Sequence, residues 1–209
     1  HVDNIVLTGL TIGDPIATAV SSGDAYLGPN STVYFYNGSS ELLAKIENTS
    51  SHDYGCTTVA IDRAGTGAVE FWDATAASEL MSKTLTVTPT TNNTSGTYNI
   101  TLYATSAEIA GWETATSKAN SMMKVVKHSG AISNVTAADP TGSGGTTVIS
   151  ASNTVAVFGN DKSIEGAFAT GFSGFGLGDP TSNTPTWNGT SWVPSAPTSS
   201  DNAIIDGSY

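Results

Sequence analysis

Apolar residues in this chain recur at every second position in short runs, and the runs are cut by glycine, proline, asparagine and aspartate. "NIVLTGLTI" near the start alternates in this way, and "STVYFYNGSSELLAKI" sets "NGSS" between two such runs, the arrangement of a β-hairpin. "CTTVAIDRAG", "AVEFW", "KTLTVTP", "TYNITLYAT", "MMKVVKHSG", "TTVISA", "TVAVFG" and "IEGAFATGF" follow at intervals of about 8–14 residues, the rhythm of a sandwich or barrel. The pattern predicts an all-β, antiparallel β-sandwich, Ig-like or jelly-roll-like, over residues 1–178. It is either one unit or two packed sub-sandwiches meeting near residue 90. The strongest breaks are "PTTNNTSG" (89–96), "ADPTGSGG" (138–145) and "GDPTSNTP" (178–185). The sequence changes character after the last of these, so residues 179–209 are expected to be a linker and an extended, strand-like tail.

Two stretches carry helical signals. "FWDATAASELMSK" offers Asp73 as an N-cap to an Ala-rich turn ending in Leu80 and Met81. "TSAEIAGWETA" holds Thr105 and Glu108 at capping-box spacing, and Gly111 is expected to weaken or stop that helix after about two turns. Both are expected to be connections over a sheet rather than layers of their own.

Composition narrows the class. Of 209 residues, 38% are hydrophobic and only 12% charged, and Thr, Ser, Gly and Asn fill the remainder. Uncharged β-formers on the outer faces of sheets account for that mix, which is common in extracellular β-rich proteins. Seven basic residues against a net charge of −11 cannot form the positive stripe that nucleic acid requires, and they argue against docking on anionic lipid. No stretch approaches the ~18–20 apolar residues of a membrane-spanning helix. The start, "HVDNIVLTGL", has neither Met nor a signal-peptide core and reads as a processed or internal start. The single cysteine, Cys56, cannot make an intrachain disulfide and is expected to lie buried as a small apolar residue.

Candidate chemistry is sparse. His1, His52 and His128 are far apart and make no zinc-peptidase helix, and "SHDYGC" places His52, Asp53 and Cys56 together without further ligands. "TGFSGFGLG" lacks the spacing of a nucleophile elbow, and it reads instead as a final strand whose Phe172 and Phe175 pack inward at a glycine bulge. Eighteen acidic residues offer many carboxylate pairs for glycoside hydrolysis and nothing to choose among them. No catalytic residue, cofactor site or metal site is assigned, with Ca²⁺ at Asp14, Asp24, Asp161 or Asp179 kept as the one ion an acidic surface could attract. Asn30, Asn37, Asn48, Asn92, Asn93, Asn99, Asn134 and Asn188 head N-x-S/T sequons, which the abundance of Asn, Ser and Thr also produces by chance. A Lys–Asn isopeptide staple is a further option for a domain without disulfides, and no pair stands out for it. Trp72 and Trp112 are expected in or beside the core. Trp187, Trp192, Ile204, Ile205 and Tyr209 in the tail are the candidate contact residues, because aromatic side chains on an extended tail are unfavourable unless they dock.

Three stretches together, "YGCTTVAIDRAGTGAVEFW", "TYNITLYATSAEIAGWETAT" and "GAFATGFSGFGLGDP", resemble a β-rich module of large exported proteins of the Bacteroidetes (Flavobacteria) type, which use the type IX secretion system. The tail, "TWNGTSWVPSAPTSSDNAIIDGSY", resembles a second recurrent element of those proteins, one that introduces a further β-repeat region. The resemblance implies an extracellular or outer-surface location and a scaffold or accessory role, with no catalytic motif to carry over. Neither a peptidase domain nor the C-terminal sorting domain of that pattern is present, so the chain reads as a piece of a larger protein or as a short subunit. The expected function is a non-catalytic structural or adhesive module, a subunit of a surface fibre assembled by strand exchange. The alternative is an accessory carbohydrate- or protein-binding domain of a secreted hydrolase. The expected partners are copies of itself or other surface proteins and glycans.

Overall fold

The computed structural model describes residues 15–69, 80–136, 138–139 and 141–179, together with the backbone of three two-residue strands beyond them. In chain order the elements are β1 (Ser21–Leu27), β2 (Thr32–Tyr36), β3 (Leu42–Asn48), β4 (Gly55–Arg63), β5 (Ala68–Val69), β6 (Leu80–Pro89), β7 (Tyr98–Ala104), α1 (Ser106–Thr116), β8 (Lys124–His128), β9 (Thr147–Ile149), β10 (Asn153–Phe158), β11 (Asp161–Phe168), β12 (Gly174–Gly178), β13 (Thr186–Trp187), β14 (Trp192–Val193) and β15 (Ile204–Ile205). One sheet runs β1-β4-β6-β12-β8-β9, with β5 taking over from β4 along the start of β6. The other runs β10-β11-β7-β3-β2. All strand pairings in both sheets are antiparallel, an isolated parallel bridge from Ile16 to Leu42 of β3 aside, and the protein is an all-β sandwich.

Each sheet joins strands from both sides of residue 90, which meet at β6 and β12 in one sheet and at β3 and β7 in the other, and the two halves share one core. That core is built by the period of two. Thr57, Val59 and Ile61 of β4 are buried, as are Ile100, Leu102 and Ala104 of β7, while the residues between them in β4 face out. Cys56 falls on the outward phase of β4, opposite Tyr26, and is exposed, which corrects its expected burial. The aromatic end of the core stacks Tyr98, Phe168, Phe172 and Phe175, with Tyr54 edge-on to Phe172. Phe172 and Phe175 pack inward as their spacing suggested, and β12 shifts register against β6 between Gly176 and Gly178.

At one edge the two layers approach closely. A Cβ on Gly23 of β1 would lie 1.9 Å from the Tyr36 carbonyl oxygen of β2, so only glycine permits this approach. Between the sheets at one end sits α1, which adds Ile109 and Trp112 to the main core. It carries the expected capping box: Glu108 N–H donates to Thr105 Oγ1, and Thr105 N–H donates to Glu108 Oε2. It does not stop at Gly111, however, and runs eleven residues to Thr116. Gly111 is there for contact, since a Cβ would sit 1.6 Å from the Thr66 carbonyl oxygen. The other expected helix is also corrected where it can be seen: Leu80 and Met81 open the central strand β6, their burial overriding the local Ala-rich signal. Asp73 and Trp72, like the strand expected at "NIVLTGLTI", lie outside the described residues.

Candidate functional site

Basic side chains are scarce in this protein, so where each one goes is informative. Lys83 points from β6 into the sandwich, in phase with the core residues Met81 and Leu85. There its Nζ donates to Glu108 Oε2 at 2.8 Å and to the Ala17 carbonyl at 3.2 Å, both side chains being almost fully buried. Burial pushes the Lys83 ammonium below its usual range, and the Glu108 charge and hydrogen bond act in the opposite direction. Lys118, just after α1, meets Asp179 in a second buried pair at 3.5 Å. Arg63 donates to the carbonyls of Ser82 and Ser133, and Lys127 to Thr170 Oγ1. Lys45 bridges to Glu165 at 2.6 Å across Thr101, on three adjacent strands.

Only Lys124 and Lys162 remain, and among the described residues neither has a hydrogen-bond or ion-pair partner. Both line the same groove of about 570 Å³, together with Met122, Met123, Ser150 and Asn153, Val155 and Val157 of β10. The groove runs along β10, an edge strand that among the described residues pairs only with β11. Cross-strand register shows what this edge leaves uncovered. Val155 lies opposite Ile164, and Ile164 opposite Leu102, all facing the core. Val157 lies opposite Lys162, and Lys162 opposite Ala104, so these positions belong to the same inward face. Val157 is nevertheless 70% exposed. Lys124 stands at the other end of the groove: it precedes Val125, whose N–H donates to Asn153 Oδ1 at the start of β10. The 120–122 turn adds Met122, 40% exposed, to the rim.

The residues singled out in the tail come together in part. Trp187 of β13 lies opposite Trp192 of β14 in an antiparallel pair and opposite Ile205 of β15 in a parallel one, with Ile204 opposite Thr186. The run "NAIIDGSY" of the expected strand-like tail thus finds a partner in the same chain through Ile204 and Ile205. Tyr209 and Asp14 lie outside the described residues. The other carboxylates considered for Ca²⁺ are apart from one another: Asp24 accepts from Thr58, Asp161 accepts from the Ser106 N–H at the start of α1, and Asp179 faces Lys118. Among the described residues no three His, Cys, Asp or Glu side chains group to hold a metal ion.

Sequence reasoning missed Lys124, Lys162, Val157 and Met122. Their signal is visible only in hindsight as rarity, since two lysines in so acidic a chain are worth following to their partners. In class, fold and groove define an all-β sandwich with one sheet edge left open beside basic and apolar side chains. No protein-family model matches the chain, and neither a curated protein nor a solved structure matches it significantly.

Proposed function

We propose that this chain is a non-catalytic extracellular module with a structural or adhesive role, a subunit of a surface fibre assembled by strand exchange. The observation that carries the reading is the open edge at β10, where an inward-facing valine and a row of backbone groups are left without a covering layer. Exposed sheet edges of this kind recruit another strand unless something blocks them. The Thr-rich, lysine-poor composition and the resemblance to exported surface modules support the same setting. Light scattering and negative-stain microscopy of the purified protein over a concentration series test it: polymers or ordered oligomers are expected, and a monomer at every concentration, with no binding to surface proteins, overturns it.

A second reading, an accessory carbohydrate-binding domain of a secreted hydrolase, draws support from the register that sets Trp187 opposite Trp192, since adjacent aromatic residues suit stacking on sugar rings. Glycan-array binding that disappears with Trp187→Ala favours it over the first.

A further inference from the structure

We infer that the groove along β10 is a docking site for an extended acidic peptide segment, which adds as a strand to the β10 edge and places carboxylates on Lys124 and Lys162. The inference rests on the proposed strand-recruiting role and gives it an address and a partner chemistry.

Three independent features converge on this groove. The first is backbone. Apart from its ladder with β11, the backbone of Thr154–Phe158 makes no hydrogen bond among the described residues, so alternate N–H and C=O groups are open to a new strand. The second is apolar surface. Val157 belongs to the core-facing side of its sheet and is nevertheless exposed, and Met122 rims the same space. A strand laid beside β10 would bring side chains over that inward face. The third is charge. Five of the seven basic side chains have acceptors, and the two that lack one among the described residues stand at the two ends of this edge. On a surface of net charge −11, an acidic ligand is repelled elsewhere and attracted here.

Geometry sets the spacing of the ligand's charges. Lys124 lies beside the Asn153 end and Lys162 opposite Val157. Asn153 and Val157 are four positions apart along a strand rising ~3.4 Å per residue, which separates the ends by roughly 14 Å. Residues i and i+4 of an added strand share a face and match that separation, so the favoured pattern is acidic-x-apolar-x-acidic. Carboxylates at i and i+3 would fall on opposite faces and reach only one lysine.

Fluorescence anisotropy with the intact protein tests this, using a dye-labelled nonapeptide centred on Asp-Thr-Val-Thr-Asp. Binding is expected, weakened as salt rises from 0.05 to ~0.5 M. It is expected to fall about three- to fivefold for Lys124→Ala or Lys162→Ala alone and to vanish for the double variant Lys124→Glu, Lys162→Glu. A probe of the same composition with aspartates at i and i+3 is expected to bind more weakly. Of two probes N-methylated on alternate residues, only one should keep binding, because only one set of N–H groups faces β10. Equal binding by a Lys-Thr-Val-Thr-Lys probe, equal binding by both N-methylated probes, or indifference to the double charge reversal overturns the inference. An unchanged melting temperature in the lysine variants shows that a loss of binding is not a loss of fold. The microscopy above is read separately: a protein that polymerises but does not bind the acidic probe leaves the assembly reading intact and sinks this site, whereas a protein that binds the probe and stays monomeric at every concentration does the reverse.

Discussion

Lys83 and Lys162 both stand on the inward face of the sandwich, one on each sheet, and their fates are opposite. Over Lys83 the helix α1 closes the end of the sandwich, and its first turn supplies the Glu108 carboxylate that makes a buried ammonium tolerable. Lys162 is only half-buried, the neighbouring valine is left in the open, and among the described residues the charge has no partner. An inward-pointing lysine is therefore structural or available according to what covers it. A buried ion pair contributes little net stability against a well-packed apolar alternative, yet breaking one by half is costly. A half-buried lysine at the side of a groove costs the fold little and stays within reach of a partner.

The sharpest way to break this comparison is Glu108→Ala. It strands the Lys83 ammonium in the core and removes the reciprocal hydrogen bonds with Thr105, so a loss of ~3–5 kcal/mol is expected in denaturant unfolding. The double variant Lys83→Met, Glu108→Leu should recover most of that loss. A double variant as unstable as Glu108→Ala would mean that the ionic pair itself, not its half-removal, holds the helix in place.

Gly111→Ala comes next. In an exposed helix this change gains up to ~1 kcal/mol of propensity. Here the new Cβ meets the Thr66 carbonyl oxygen at 1.6 Å, so a net loss of ~1–3 kcal/mol is expected in thermal unfolding, because overpacking against backbone outweighs propensity. A stabilised variant would show that α1 is held less closely than its contacts imply.

Between the two extremes lies the half-exposed pair of Lys45 and Glu165. Burial alone would raise the Glu165 carboxyl, but hydrogen bonds from Lys45 and Thr101 and the Lys45 charge outweigh it and hold the group below its ordinary value of 4.5. A folded value below the unfolded one means that this stabilisation is complete above pH 4.5 and is lost as pH falls through the depressed folded value. With the pair partly in solvent, the contribution is expected to be below ~1 kcal/mol. It shows as a difference between the protein and its Lys45→Met variant that is present at neutral pH and narrows in acid. A difference that widens on acidification would have the wrong sign.

Lys162→Met is expected to do least, changing stability by no more than ~0.5 kcal/mol. A loss comparable with that of Glu108→Ala would show that Lys162 is held in the fold like Lys83, and the contrast between the two sites would collapse.

Much of the architecture was legible in the amino-acid sequence. The period of two predicted the strands and the all-β class, the T-x-x-E spacing predicted the start of α1, and the Phe172/Phe175 spacing predicted an inward-packed final strand, because each of these is written in local chemistry. What failed locally failed for tertiary reasons. Gly111 reads as a helix breaker until a loop carbonyl is found resting on it, and Leu80 and Met81 read as a helix end until the core claims them for β6. Cys56 looks like a core residue by type and is exposed by phase. The candidate groove was not legible at all. Sequence alone determined that basic residues are few and that their charge is precious in an acidic chain. Only the tertiary structure decided which lysines are neutralised and which are left facing a free strand edge, because that depends on which layer covers which end of a sheet, a matter of contacts between residues far apart in the chain.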